Sequence, residues 1–349
     1  MNAVNEHKKF GMAIEKWRVL MLAAFAVLAA GGFLCSVLSG AVAIPVSALG
    51  VHWISINYGI PQLGLNGGGD NASRQILLNI RLPRAIVAAL VGMNLAVSGA
   101  VLQAVMKNPL ADPHIIGISS GAGLAGIFVI VLFPALEYLI VPTAFCGAML
   151  AAACIYILAW KNGIRPLRIV LAGVAVSSFL GAGISAILVL YSDRVHGALM
   201  WMVGGLAARS WPHVEIILPY AVIGFILAVC GARYLNILQL GDDVAKGLGV
   251  NVELVRLVFT AIGALLAASA VSVAGLLGFV GLIVPHTVRL LTGSDYRFLI
   301  PSSALLGIAV VTYSDTLARV AFAPLELPVG IFMAALGAPF FLFLLRKEL

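Results

Sequence analysis

The sequence predicts an all-α polytopic membrane protein, with about ten transmembrane helices in a tightly packed bundle, and two observations support this fold class. Hydrophobic residues make up 62% of the 349 residues and charged residues only 10%, whereas a soluble domain carries about 25% charged residues. Apolar runs close to the length of about 20 residues that a helix needs to cross a bilayer recur along the whole chain. Lipid must therefore be part of the solvent.

Ten apolar runs predict the spans, and their boundaries in chain order are 19–39, 84–106, 114–133, 140–160, 168–190, 213–234, 255–273, 276–292, 299–318 and 328–345. The run 276–292 is short and contains Pro285, so it is expected to form a steep or broken helix. The stretch 192–212 is rich in Gly and Trp and is expected to hold a half-helix that does not cross. Small residues are frequent within the spans, and in lipid they let helix backbones approach closely.

The whole chain, 1–349, is predicted to form a single transmembrane domain. The run Val19 to Leu38 follows basic residues as a secretory signal would, but it exceeds the roughly 7–15 residues of a signal core. It is therefore expected to be a retained first helix after a cytoplasmic tail, 1–18. With the N-terminus inside, more than twice as many lysines and arginines fall inside as outside, which predicts that both termini are cytoplasmic. Residues 40–80 then form an external loop, and 235–254 form the longest cytoplasmic loop.

The composition excludes several classes of function. The formal net charge is +7, but the basic residues are scattered singly between apolar runs, so no nucleic-acid partner is predicted. The four cysteines lie inside apolar stretches without a CxxC or Cys/His cluster, so neither a disulfide nor a metal site is predicted. No nucleophile motif occurs, and no catalytic residue is assigned. The phosphate-binding pattern G-x-x-x-x-G-K-[ST] is also missing, so if ATP drives this protein, a separate polypeptide hydrolyses it and this chain binds no cofactor.

Few charged side chains fall inside the predicted spans, and Asp315 is the clearest of them. It lies four residues before Arg319, and this spacing favours a local ion pair over a role in carrying a coupling ion. Arg81 and Arg84 form R-L-P-R at the outer mouth of the second span. Two arginines there either anchor the helix to lipid phosphates or capture acidic side chains of a docking protein, because Arg pairs bidentately with carboxylates.

The cytoplasmic loop 235–254 contains a candidate docking element. Residues Asp242 to Leu248 can form a short helix between Gly241 and Gly249. Asp242 and Asp243 would suit the positive N-terminal end of its dipole. The same pattern fits an ordinary amphipathic connector, so the residues alone leave both interpretations open.

Seven motifs in register resemble the permease family of ATP-binding-cassette importers for iron-siderophores, haem and cobalamin. In chain order they are RLPR at 81–84, SGAVLQ at 98–103, NPLADP at 108–113, VLAGVA at 170–175, LGDDVAKGLG at 240–249, GFVGLIVPH at 278–286 and ELPVG at 326–330. The resemblance covers nearly the whole chain from about residue 75.

The resemblance implies a ten-span subunit of the cell inner membrane that works as a homodimer with two cytoplasmic ATPase subunits and one external substrate-binding protein. The positions that receive acidic residues of the binding protein match Arg81, Arg84 and Arg319. The ATPase-docking element matches Gly241, Asp242, Asp243, Val244, Ala245, Lys246, Gly247, Leu248 and Gly249. The cytoplasmic gate matches Asn108, Pro109, Leu110, Pro166 and Leu167. The last two depart from the small polar residues of the cobalamin importer, which argues against cobalamin as cargo.

The predicted function is therefore a membrane-spanning permease subunit, not an enzyme, in an ATP-driven importer of a ferric siderophore or similar metal chelate. Haem and cobalamin are the alternative cargoes. A proton- or sodium-coupled secondary carrier is a second hypothesis, and the scarcity of buried acidic residues counts against it. A membrane-embedded enzyme is a third, and the missing nucleophile and metal-ligand patterns count against that.

Overall fold

The computed structural model describes residues 2–40, 73–114, 117–161, 163 and 166–348, so most of the expected external loop, 41–72, lies outside the described residues. The described helices are α1 (Asn2–Leu38), α2 (Leu82–Met106), α3 (Ile118–Leu132), α4 (Ile140–Ala159), α5 (Pro166–Leu190), α6 (Val195–Val203), α7 (Trp211–Cys230), α8 (Ala232–Gln239), α9 (Asp242–Gly247), α10 (Val252–Ala274), α11 (Val280–Thr292), α12 (Tyr296–Val320) and α13 (Val329–Glu348). A π-helical turn, Ile76–Arg81, leads directly into α2.

The helices fall where the apolar runs predict them. Within the described residues, seven helices are long and apolar enough to cross a membrane, namely those in α1, α2, α4, α5, α7, α10 and α12. Three shorter apolar helices, α3, α11 and the part of α13 up to Leu342, occupy the other predicted spans. The all-α class with about ten spans is confirmed, and so is the half-helix, because α6 has only nine residues.

Two spans begin four residues later than predicted, and residues with positive φ just before each helix explain both. α3 begins at Ile118 instead of 114, after Gly117 with a φ of 100°. α11 begins at Val280 instead of 276, because Gly275 and Phe279 have φ values of 76° and 68° and interrupt the helix. Its 13 residues span about 20 Å at 1.5 Å each, which is less than the hydrocarbon core of about 30 Å.

The core of the bundle forms around α2, which packs against α10, α11 and α12. Small residues bring these backbones together. A Cβ on Gly92 of α2 would collide with the carbonyl oxygen of Gly307 in α12, and a Cβ on Gly99 would collide with the carbonyl oxygen of Gly281 in α11. α2 and α10 are mostly buried, whereas α5 leaves most of its apolar surface uncovered.

The bundle has two different ends. The C-termini of α1 and α12 meet the N-terminus of α2 where Arg81, Arg84 and Arg319 lie, and this is called the arginine end. The C-terminus of α2 meets α9 and the N-terminus of α10 around Asp242, and this is called the Asp242 end.

Candidate functional site

A buried carboxylate organises the arginine end. Asp315 of α12 is fully buried and accepts a bidentate pair of hydrogen bonds from Arg84 of α2, with Nε–Oδ2 at 3.1 Å and Nη2–Oδ1 at 2.9 Å. Arg319 lies one turn further along α12, and its Nε is 3.3 Å from Oδ2 of Asp315. The ion pair between Asp315 and Arg319 that the i, i+4 spacing predicts is confirmed, and Arg84 of α2 binds the same carboxylate.

The three arginines are brought together but are not free. Arg84 also donates to Glu326, with Nη1–Oε2 at 2.7 Å. Arg319 donates to the carbonyl oxygen of Ser36 at 2.8 Å, and Arg81 donates to that of Leu38 at 2.7 Å. Positive charge stabilises the C-terminus of a helix, so the contacts of Arg319 and Arg81 stabilise the C-terminal end of α1.

The side chains of these arginines are consequently buried. Exposure is 4% for Arg81, 6% for Arg84 and 4% for Arg319. A lipid phosphate or a partner's carboxylate must therefore displace one of the contacts made within the chain. The exposed member of the network is Glu326, whose side chain is 41% exposed, so the Arg84–Glu326 pair is the contact most open to exchange.

A cavity of about 510 Å³ opens beside this network. Its wall is formed by the ends of α3 and α6, the start of α7 and the segment before α13. The charged side chains and the histidine that line it are Arg84, Glu137, Arg209, His213 and Glu326. Burial lowers the pKa of Arg209, which lies in the loop before α7, and the charge of Glu137 opposes that change.

At the opposite end, α9 forms the short helix that the sequence predicts. Gly241 and Gly249 flank it with φ values of 110° and 78°, a conformation that glycine adopts without strain. Ala245 is fully buried and packs in a small cluster with Leu238 and Val252. The rest of α9 is exposed and carries both apolar and charged side chains: Val244 is 50% exposed, Leu248 beyond its end is 60% exposed, and Asp243 and Lys246 are exposed as well.

Asp242 fixes α9 to the rest of the bundle. Its Oδ1 accepts hydrogen bonds from Lys107 at the end of α2, at 2.7 Å, and from Arg256 of α10, at 2.8 Å. Burial raises the pKa of Asp242, but these hydrogen bonds and charges outweigh that effect, so the pKa lies below its ordinary value. Asp242 thereby links α9 to the end of α2 and to α10.

The expected gate residues lie in two segments near the helix ends. Asn108 accepts the backbone N–H of Leu110 at 2.9 Å, in a tight turn around Pro109 that follows α2. Pro166 and Leu167 begin α5, where Leu167 is 69% exposed. A second cavity, of about 480 Å³, lies beyond this turn between the ends of α6, α11 and α13, and Asp112 and His114 contribute to its wall.

Several charged contacts could not be read from the sequence. Glu326 stands 242 residues from Arg84, and Asp242 stands 135 residues from Lys107. No motif singles out Arg209, which lies between two predicted spans. Among the described residues, no group of three or more His, Cys, Asp or Glu side chains could hold a metal ion.

The chain was compared with known proteins. A model of the FecCD transport family matches residues 30–347. The chain is 43% identical over 309 residues to the cobalamin import system permease protein of Halobacterium salinarum, which covers 88% of this chain and 82% of that protein. It is 38% identical over 355 residues to the iron(3+)-hydroxamate import system permease protein FhuB of Bacillus subtilis, covering 99% of this chain and 90% of that protein.

A solved structure supports the same fold. It is described as a metal-chelate type ABC transporter in an inward-facing conformation, and its chain is 28% identical to this one. The TM-score is 0.75, and the match covers 87% of this chain and all of that chain.

Proposed function

The chain belongs to the FecCD transport family, and from that premise we propose that it is the membrane-spanning permease subunit of an ATP-driven importer for a ferric siderophore or similar metal chelate. The family consists of transport subunits and not of enzymes, and the relatives compared above are import permeases. The observation that carries the proposal is the difference between the two ends of the bundle. One end carries a cluster of arginines, and the other presents a short helix with exposed side chains, among them Val244.

The Asp242 end is proposed to receive the ATPase. Val244 and Leu248 are exposed apolar side chains outside the helices that suit a membrane, and a protein partner would bury them. Asp242 ties the helix to α2 and α10, so a force applied by the ATPase reaches the core of the bundle. This arrangement favours the docking interpretation over an ordinary connector.

The arginine end is proposed to face outside and to receive the substrate-binding protein. Since Arg84 holds Asp315 and Glu326 together, a carboxylate of the binding protein would replace Glu326 on Arg84 rather than meet a free guanidinium. Glu326 lies three residues before α13, so its release would act on the start of that helix. We propose that both termini lie in the cytoplasm and that the protein lies in the inner membrane.

A second copy of the chain is proposed to cover the exposed face of α5. Leu171 is 61% exposed and Phe179 77% exposed, and both lie on a helix of which little is buried. Bilayer lipid would cover part of this face, and the second copy in a homodimer would cover the rest. The two copies would place the proposed gates at 108–110 and 166–167 on either side of a shared axis.

Ferric siderophore is the proposed cargo, and cobalamin is a second candidate because of the 43% identity to a cobalamin permease. Haem is a third. Uptake of radiolabelled ferric hydroxamate, ferric catecholate, haem and cobalamin should be measured in a strain that lacks its own permeases and expresses this chain with its ATPase and binding protein. Uptake of a ferric siderophore alone is expected. Uptake of cobalamin or haem without any ferric chelate would contradict the proposed cargo.

A further inference from the structure

We propose that the second cavity, of about 480 Å³, is a binding site for an organic cation, and that the buried carboxylate of Asp112 is its charged group. The cation is an aliphatic ammonium group carried by the cargo. The site itself is argued from geometry alone, whereas the assignment of its occupant to the cargo rests on the proposed function. Asp112 belongs to the NPLADP motif, but it is part neither of the proposed gate nor of the docking helix.

Asp112 carries a carboxylate that is buried without a cation in contact. Its exposure is 4%, and its Oδ1 accepts the backbone N–H of His114 at 2.7 Å. Within the part of the chain that the structure describes, Asp112 makes no ion pair. A buried charge without a counter-charge is unfavourable in free energy. A cation bound beside Asp112 would offset that free energy.

The start of α11 favours the charged form of this carboxylate. Oδ2 of Asp112 lies 2.9 Å from the position that a Cβ on Gly281 would take, and Gly281 is the second residue of α11. The N-terminal end of a helix carries about half of an elementary positive charge. This partial charge does not balance a full negative charge. Asp112 is therefore a preorganised anion whose charge is only partly balanced within the chain.

The rest of the wall suits the apolar body of an organic cation. Among the described residues, no lysine or arginine lines the cavity, and the other titratable side chain is that of His114, which is exposed. Met202, Leu282 and Ile331 supply apolar contacts, and Phe279 supplies an aromatic ring, a group that attracts cations. The volume of about 480 Å³ falls in the range of about 300–1,000 Å³ that small-molecule sites occupy.

The position of Asp112 favours the cargo over a protein partner as the source of the cation. Gly281, beside the carboxylate, packs closely against Gly99 of α2. Gly99 lies seven residues before the end of α2 at Met106, which is about 10 Å at 1.5 Å per residue. The carboxylate therefore lies about 10 Å inside the bundle from the Asp242 end. A small molecule that crosses the bundle can reach this depth more readily than a folded partner.

The first test measures binding of n-pentylammonium chloride to the purified full-length permease in lipid nanodiscs by isothermal titration calorimetry. Empty nanodiscs are the blank for partition into lipid, sodium chloride controls for ionic strength, and 1-pentanol is the uncharged analogue. Asp112→Asn keeps an acceptor for the backbone N–H of His114 but removes the charge. It should weaken pentylammonium binding at least tenfold and leave 1-pentanol binding unchanged. Asp193→Asn, at an exposed carboxylate outside this cavity, should bind both compounds as the wild type does.

A variant that fills the cavity covers the case in which Asp112→Asn does not fold. Ala334 lines the cavity and is exposed, so Ala334→Phe adds volume there and leaves the carboxylate in place. It should weaken binding of both pentylammonium and 1-pentanol, and unchanged binding would overturn the proposal. If Asp112 serves only as a counter-charge for α11, the wild type should bind no pentylammonium or bind it no more tightly than Asp112→Asn. Either of these results would overturn the proposal as well.

The second test asks whether the cation is on the cargo. Uptake is compared for a ferric trihydroxamate with a terminal primary amine and for the same chelate with that amine acetylated, in cells that also express the ATPase and the binding protein. For each chelate, uptake by Asp112→Asn is divided by uptake by the wild type, so that preferences of the binding protein cancel. This ratio should be at least tenfold lower for the chelate with the free amine.

Equal ratios for the two chelates would overturn the assignment of the site to the cargo. Failure of the proposed function is distinguishable from failure of the site. In that case the wild type would take up neither chelate, while pentylammonium binding by the purified protein stayed measurable.

Discussion

Asp315 is the residue that holds the arginine end of the bundle together. It lies inside the membrane-spanning part of α12 and is joined to Arg84 from α2 and to Arg319 from its own helix. The i, i+4 spacing predicts the contact with Arg319, but the bidentate contact with Arg84 joins residues 231 positions apart. Asp315 is the one clear candidate in the sequence for carrying a coupling ion, and its contacts with Arg84 and Arg319 favour a role as a structural counter-charge instead.

Removing that carboxylate is expected to destabilise the protein strongly. Asp315→Ala leaves the guanidinium groups of Arg84 and Arg319 buried without their shared partner, and breaking a buried ion pair costs about 3–5 kcal/mol. Glu326→Gln removes a half-exposed partner of Arg84 and should cost much less. Thermal unfolding of the purified variants in detergent checks both expectations. Equal midpoints for the two variants would show that Asp315 has no special structural role.

Asp295, at the start of α12, is expected to make stability depend on pH in the acid range. Hydrogen bonds from Arg297, together with one from Asn236, lower the pKa of Asp295 to about 2. An unfolded aspartate has a pKa of about 3.9, so the stabilisation is fully present above that pH and is lost as the pH falls through about 2. Asp295→Asn should therefore be less stable than the wild type at pH 6 and lose less stability on acidification.

The contacts of Asp295 allow a graded control for this pH dependence. Asn236→Ala removes one hydrogen bond to Asp295, at 2.8 Å, and leaves the carboxylate in place. Its stability should change with pH to an extent between those of the wild type and Asp295→Asn. Thermal midpoints measured from pH 6 to about pH 3 check this. Parallel profiles for all three proteins would contradict the assignment to Asp295.

At the scale of elements, apolar runs locate the helices well but not where each helix begins. A run of about 20 apolar residues has one stable state in lipid, so the long spans are found at their predicted places. The late starts of α3 and α11 depend on backbone geometry at Gly117, Gly275 and Phe279, which an apolar run does not reveal. The ion pairs of Asp242 with Lys107 and Arg256 depend on tertiary packing, so the pattern of apolar runs does not predict them either.

The helix α9 is expected to lose its docking role when its entry turn is changed. Gly241→Val places a β-branched residue at a φ of 110° with no atom within 4 Å of the added Cβ, so the damage comes from the backbone alone. Gly247→Ala is the matched control, since its Cβ also meets nothing within 4 Å and its backbone is helical. Gly241→Val should insert normally but fail to retain the ATPase in a pull-down, whereas Gly247→Ala should retain it. Equal retention would place the docking surface elsewhere.

The contact between α2 and α12 is expected to tolerate no side chain at Gly92. The Cβ of Gly92→Ala would meet the backbone carbonyl of Gly307, and separating two packed helices costs about 1–3 kcal/mol. Gly181→Ala on α5 meets no atom within 4 Å and serves as the control. The thermal midpoint should fall for Gly92→Ala and stay level for Gly181→Ala. A midpoint for Gly92→Ala equal to that of the wild type would contradict the close approach of these helices.

At the scale of the whole molecule, the two ends of the bundle have different chemistry and are proposed to meet different partners. Composition and the distribution of lysines and arginines predict a membrane bundle and its orientation, because both properties are summed over many residues. They do not reveal that Arg84 and Arg319 share the buried carboxylate of Asp315, since that depends on which side chains meet. The proposed functional difference between the ends therefore rests on the predicted orientation together with these contacts.

Labelling of single cysteines by a membrane-impermeant reagent tests that orientation most directly. The four native cysteines are first replaced, because three of them are exposed. One new cysteine is introduced at Asp193, before α6 near the arginine end, or at Asp243 in α9. Asp193→Cys should react in intact cells, and Asp243→Cys should react only after the membrane is permeabilised. Labelling of Asp243→Cys in intact cells would contradict a cytoplasmic docking helix and, with it, the proposed importer.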